Sequence, residues 1–321
     1  MPVPLDVEGL VGQATEGSPR AVARLISLVE DAHPQLREVA RALVPHTGRA
    51  QLVGLTGPPG VGKSTTTSML ISALRAQGKR VGVLAIDPSS PFSGGALLGD
   101  RVRMAEHATD GGVFIRSMAT RGHLGGLSWA TPQAVRVLDA AGFDIVLIET
   151  VGVGQSEVDV VRLADTTVVL LAPGMGDGIQ AAKAGVLEIA DVFVVNKADR
   201  DGADTTVREL KQMIAMSRRE VPGHSWRQPI LRTVAARGEG AAEVTGALAE
   251  HREWLDSRGE LHRRRATRAA GEIEAIALHA LRTELGDLHG GDLLAELADQ
   301  VVRGGLDPYA AADRLTHNLR G

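Results

Sequence analysis

Apolar positions along this 321-residue chain change their period twice, and the changes divide it into three regions. In the first, Val22, Leu25, Ile26 and Val29 recur at helical spacing behind Ser18 and Pro19, an N-cap followed by a first-turn proline. Leu36, Val39 and Leu43 mark a further helix, so residues 1–48 read as a helical arm. From residue 49 the pattern shifts to short runs: Leu52 to Thr56, Val81 to Ile86, Val113 to Ser117, Ile145 to Glu149, Thr167 to Ala172, Val192 to Asn196 and Ile230 to Val234. Most are apolar throughout rather than alternating, as strands buried on both faces are. Residues 49–246 are therefore expected to form a doubly wound α/β domain, its sheet mainly parallel and joined by crossover helices. Beyond Gly246 only helical periodicity remains, with Ile273, Ile276, Ala277, Ala280 and Leu281, then Leu293, Leu294, Leu297 and Val301. This second arm, 247–321, carries more apolar surface than it can bury locally, which points to a homodimer interface or to packing on the α/β domain.

Composition narrows the partners. The formal charge is only −4, aromatic residues make up 2% of the chain, and there is no basic stripe, so neither a nucleic-acid footprint nor an anionic membrane surface is favoured. With no cysteine there is neither a disulfide framework nor a thiolate metal site. No run approaches the roughly 20 apolar residues of a membrane span, and the N-terminus lacks the apolar core of a signal peptide. A cytoplasmic protein is expected. The ten histidines form no ligand cluster and read as solvated or capping residues, while Trp129, Trp226 and Trp254 read as packing or interface residues.

The chemistry begins at Gly57-Pro58-Pro59-Gly60-Val61-Gly62-Lys63-Ser64, a complete phosphate loop between a strand-like and a helical run. Its glycines let consecutive backbone N–H groups face the phosphates, Lys63 adds a point charge, the Ser64 hydroxyl suits Mg²⁺, and Thr65 continues the helix start. The strand 192–196 runs into Asn196-Lys197-Ala198-Asp199. A carboxylate at Asp199 can accept from both N1–H and the exocyclic amine of guanine, a donor pair that adenine lacks. The Lys197 stem can lie along the base and Asn196 can tie this box to the phosphate loop; the plainer alternative is a turn closing a strand. After the next strand, Thr233-Val234-Ala235 is placed to offer an amide to the guanine carbonyl.

Glu149 ends the strand 145–149 and is expected to reach Mg²⁺ directly or through water. Gly152 can present its N–H to the γ-phosphate, which makes 150–157 a candidate switch loop. Val153 stands where Ras-like enzymes carry a water-orienting glutamine, so slow intrinsic hydrolysis is expected, with Gln155, Gln180 or Lys183 as possible helpers. Asp87 closes the strand 81–86 and is locally either a ligand or a turn residue.

Taken together, these blocks resemble one family, the methylmalonyl-CoA mutase-associated GTPases of the MeaB and ArgK type. The resemblance rests on Gly57 to Ser64, Ile86-Asp-Pro-Ser-Ser-Pro91, Gly99-Asp-Arg-Val-Arg-Met104, Ser117 to Gly126, Glu149-Thr-Val-Gly-Val-Gly-Gln-Ser-Glu157, Gly176 to Lys183 and Asn196 to Asp199. It implies GTP hydrolysis coupled to protecting and loading an adenosylcobalamin-dependent acyl-CoA mutase, methylmalonyl-CoA mutase foremost. It further implies Asp87, Asp100 and Glu149 around Mg²⁺, a second switch in the loop 174–183, and a homodimer built through the C-terminal helices. Two other readings of the phosphate loop are a small-molecule kinase and a transport-associated ATPase; the guanine box opposes both.

Overall fold

In the computed structural model the described residues are 5–87, 104–119, 130–150, 162–174, 189–217, 226–284 and 292–318. They fall into two compact units, 1–261 and 262–321.

The first unit is built on a seven-stranded sheet of β1 (Gln51–Thr56), β2 (Val81–Asp87), β3 (Val113–Ala119), β4 (Ile145–Thr150), β5 (Thr166–Leu171), β6 (Val192–Asn196) and β7 (Ile230–Thr233). The order is β3-β2-β4-β1-β5-β6-β7, and each adjacent pair is parallel. Every residue of β1, β4, β5 and β6 is buried, the condition that makes their sequences apolar from end to end. β7 stops one residue short of the run read from sequence, because the Val234 amide turns away to pair with the Glu239 carbonyl.

Helices cover both faces. α1 (Val7–Thr15), α2 (Pro19–Glu30) and α3 (Leu36–Leu43) open the chain. Ser18 caps α2 by accepting from the Ala21 amide, and Pro19 occupies its first turn. These helices share one apolar cluster with α5 (Ala130–Ala140) and with Leu52, Leu84, Ile86, Val146 and Ile148 of the sheet. The opposite face, carrying Val53, Leu55, Val83, Leu147 and Leu170, packs on α4 (Lys63–Ala76) and α7 (Ala241–Ser257). α6 (Ala203–Ser217) lies against β5 and β6 through Val207 and Leu210. Because β1 is central and α4 follows it after six residues, the loop between them sits at the carboxyl edge of the sheet, where α/β folds bind ligands.

His251 departs from the expectation of solvated histidines. It is fully buried on α7, with Nδ1 2.9 Å from the Thr166 hydroxyl and Nε2 3.3 Å from Asp191, off line for a hydrogen bond. Its ring is 4.7 Å from Trp226 and stacks on Trp254 at 6.1 Å. A sheet edge that buries polar groups must pair them, and this histidine does so for Thr166.

The second unit is helical, comprising the rest of α8 (Glu260–Glu284), α9 (Asp292–Val302) and α10 (Pro308–Asn318). Among its described residues Leu297 and Ala311 are buried, while Ile273, Ile276, Leu278 and Leu281 of α8 are exposed. Among the described residues no helix is long and apolar enough to cross a membrane.

Candidate functional site: a phosphate loop tied to the loop after β6

The loop 57–62 reverses the chain between β1 and α4 with positive φ at Gly57, Gly60 and Gly62. Two of these glycines are also forced by space. A Cβ on Gly57 would collide with the Leu170 carbonyl of β5, and one on Gly62 would lie 2.5 Å from the Asn196 amide nitrogen. Gly62 precedes α4 without any side-chain cap, and the start of a helix is electrostatically suited to an anion. Pro58 and Pro59 fill the loop's outer turn, and Val61 anchors it as a fully buried side chain. The Lys63 ammonium, only 7% exposed, donates to the carbonyls of Gly57 at 2.6 Å and Pro58 at 3.1 Å. That arrangement curls the loop around a single positive charge.

In the first turn of α4 the Ser64 hydroxyl donates to Glu149 Oε1 at 2.6 Å, and one turn on the Thr67 hydroxyl donates to Oε2 at 2.7 Å. Sequence reasoning expected Ser64 and Glu149 at the same ion but missed Thr67, which lies 82 residues from its partner and carries no local signal. Ser64 and Glu149 supply hard oxygen donors side by side beside the helix start, a set that suits Mg²⁺. Asp87 is the last residue of β2, in the strand beside β4. Asp100, Gly152, Lys183 and the loops around them lie outside the described residues.

Asn196, at the end of β6 and 3% exposed, joins the two halves of the site. Its Nδ2 donates to the Val61 carbonyl at 2.8 Å, while its Oδ1 accepts from the Thr233 hydroxyl and the Ala235 amide, each at 3.1 Å. Lys197, in the left-handed region at φ 57°, sends its ammonium 2.6 Å to the Gly60 carbonyl. Asp199 is engaged by Arg237 at 3.2 Å, a pairing the sequence did not announce. The amides of Val234 and Ala235 are both spent inside the protein, on Glu239 and Asn196; the next amide along the turn is that of Ala236, an exposed residue.

Between α4 and this turn lies a cavity of about 650 Å³, bordered by Thr65 at the phosphate-loop end and by Ala235 and Ala236 at the other. The phosphate-loop motif and the loop 196–199 are thus held in one hydrogen-bonded frame, with the Ser64–Glu149 pair at the start of α4.

A profile of the family described as "Methylmalonyl Co-A mutase-associated GTPase MeaB" matches residues 22–287. The chain belongs to this family of P-loop GTPases. It is 47% identical to a GTPase-named protein of Pyrococcus abyssi over 98% of this chain and 97% of that one. It is 38% identical to "Methylmalonic aciduria type A homolog, mitochondrial" of Mus musculus over 96% of this chain and 78% of the other. It is also 36% identical to "GTPase ArgK" of Escherichia coli over 77% and 76%. A solved structure described as a LAO/AO transport system kinase superposes with a TM-score of 0.73 across 99% of this chain and all of that one; at 24% identity the likeness concerns the fold.

Proposed function

We propose that this MeaB-family GTPase is a slow, guanine-nucleotide-dependent switch that gates adenosylcobalamin loading and protection of methylmalonyl-CoA mutase or a related acyl-CoA mutase. The observation that carries the reading is Asn196, whose one side chain holds both the phosphate loop at Val61 and the turn at Thr233 and Ala235. Base recognition and phosphate binding are then mechanically one event. The family's description and the name of the mouse relative support the mutase as partner.

In this reading the amides of 57–65 hold the phosphates, Lys63 neutralises them, and Asp199 checks the guanine edge while Lys197 flanks the base. The carbonyl of guanine meets the Ala236 amide rather than that of Ala235, because Asn196 already occupies the latter. Ser64 and Glu149, with Asp87 and Asp100, would hold Mg²⁺, which when bound supplies charge neutralisation to the β- and γ-phosphates. Gly152 and Lys183 act from the switch loops, whose arrangement follows the presence of the γ-phosphate. A nucleotide moves the partner's equilibrium only by its differential affinity for two loop states, so the mutase selects one of them. The exposed residues Ile273, Ile276, Leu278 and Leu281 of α8 fit a homodimer built through the C-terminal arm, and the setting is cytoplasmic.

Co-purification with candidate acyl-CoA mutases in GDP and in a non-hydrolysable GTP analogue tests the switch. Retention in one nucleotide state is expected, and equal retention in both would overturn it. A preference for ATP over GTP would instead favour the kinase or transport-ATPase readings.

A further inference from the structure

We infer that Glu106 is a ribose-recognition residue, its carboxylate accepting from the vicinal hydroxyls of the bound guanosine nucleotide. The inference rests on the guanine-nucleotide reading above and adds a group that no motif of the chain contains.

The cavity supplies the placement. It begins at Thr65, the residue after the phosphate-loop serine, and ends at Ala235 and Gly238, beside the loop proposed to read the base. It continues along α4 past Ser68 to Ser72 and Ala73, and in the guanine-nucleotide reading the ribose lies at its Thr65 end. Its volume of about 650 Å³ lies in the range of small-molecule sites. Among the described residues the lining is apolar surface, mostly of small residues with Met69, carrying the hydroxyls of Thr65, Ser68 and Ser72 and one ionisable group, Glu106. A carboxylate repels phosphate, so the phosphates stop at the α4 N-terminus and the part of the ligand beside Glu106 is neutral. A ribose offers two adjacent hydroxyl donors, and an ionised carboxylate is the acceptor-only group that can take both.

Glu106 is also held in place. It accepts from the Ser68 hydroxyl of α4, and His107 Nε2 stands 2.9 Å from the same hydroxyl and 3.5 Å from the carboxylate. The short 3-10 turn 105–107 that carries both residues is pinned to α4 by Asp110, which takes two hydrogen bonds from Arg75 at 2.8 and 2.9 Å. The carboxylate, on a largely exposed side chain, is therefore tethered beside Ser68 in the second turn of α4.

The test compares GDP, 2′-deoxy-GDP and 3′-deoxy-GDP by calorimetric titration against the full chain and its Glu106→Ala and Glu106→Gln variants, with Mg²⁺ present throughout. The parent chain should bind GDP about tenfold more tightly than at least one deoxy analogue, the order expected of a hydrogen bond to a charged acceptor that remains partly in water. Glu106→Ala should bind GDP about tenfold more weakly and lose the preference for the intact ribose; Glu106→Gln should fall between. Tight GDP binding by the parent with no loss for either deoxy analogue would overturn the ribose assignment and leave the guanine reading intact. So would discrimination that survives in Glu106→Ala. Absence of GDP binding by the parent chain would overturn both.

Discussion

The Ser64 hydroxyl and the Glu149 carboxylate meet at 2.6 Å, across 85 residues of sequence and between α4 and the end of β4. Thr67 completes the contact on the other carboxylate oxygen, and Glu149 is only 3% exposed. A carboxylate fixed through both oxygens has few rotamers left, so the ligand set proposed for Mg²⁺ is organised in advance. Thr67→Val keeps the shape of the side chain and removes the hydroxyl that aims Glu149. The variant should fold normally, yet need about tenfold more Mg²⁺ for half-maximal stabilisation of bound GTP, whereas Thr67→Ser should restore the parent value. The readout is Mg²⁺ titration of nucleotide affinity, with Mn²⁺ binding by electron paramagnetic resonance as a second measure. An unchanged Mg²⁺ requirement in Thr67→Val would remove Thr67 from this role.

Asn196 has three protein partners and almost no solvent contact. Alanine there would strand the Val61 carbonyl, the Thr233 hydroxyl and the Ala235 amide in a buried setting. Each lost pairing costs about 1 kcal/mol or more, so Asn196→Ala should lose about 3 kcal/mol of unfolding free energy. Urea unfolding checks this. Asn196→Asp keeps the acceptor for Thr233 and Ala235 but sets a carboxylate oxygen against the Val61 carbonyl. It should retain more stability than the alanine variant while binding GTP more weakly; equal stability for the two would show that the acceptor side contributes nothing.

Much of this architecture was legible in the sequence because its causes are local. Strands buried on both faces must be apolar in unbroken runs, and all seven appear within two residues of their expected bounds. A phosphate loop must carry glycine where φ is positive or where a neighbouring backbone intrudes, as at Gly57 and Gly62. Apart from the Asn196 tie to the phosphate loop, which its motif announces, contacts between distant segments left no such trace. Thr67 reads as an ordinary helical threonine, Arg237 as an exposed arginine after a strand, and Glu106 as a loop acid; each acquires meaning only from a partner 38 or more residues away. The segment Thr233-Val234-Ala235 reads as able to offer an amide to a ligand, because nothing nearby in sequence competes for the amide of Ala235. Its competitor, the Asn196 side chain, lies 39 residues upstream.

Asp110 gives the protein a predictable response to acid. The Arg75 guanidinium, followed by the Gly112 amide, holds its carboxyl below the usual carboxylate range. A depressed folded-state value means that the contribution to stability is present above the unfolded value, about 3.9, and is lost as pH falls through the lower folded one. Thermal melting of the parent chain and Asp110→Asn should show a constant deficit for the variant from pH 7 to about pH 5, closing on further acidification. Since Asp110 anchors the turn bearing Glu106, the same variant should also weaken GDP binding at neutral pH. A deficit that persists unchanged in strong acid would assign it to packing rather than to the ion pair.

Asp199 and Arg237 carry the last expectation, which concerns the base. The carboxylate accepts from Arg237 at 3.2 Å, a contact that fixes its rotamer while leaving acceptor capacity for the guanine N1–H and amine. Replacing Asp199 by Asn substitutes one donor for an acceptor, which mismatches guanine but matches xanthine, whose 2-position is a carbonyl. Asp199→Asn should therefore bind GTP about a hundredfold more weakly, the loss of two hydrogen bonds to a charged group, and gain affinity for xanthosine triphosphate. Arg237→Ala should retain guanine selectivity while weakening all guanine nucleotides about equally, because only the aim of the carboxylate is lost. Competition binding with GTP, ATP and xanthosine triphosphate distinguishes these outcomes. Undiminished GTP affinity in Asp199→Asn would sink the assignment of Asp199 as the residue that reads the base.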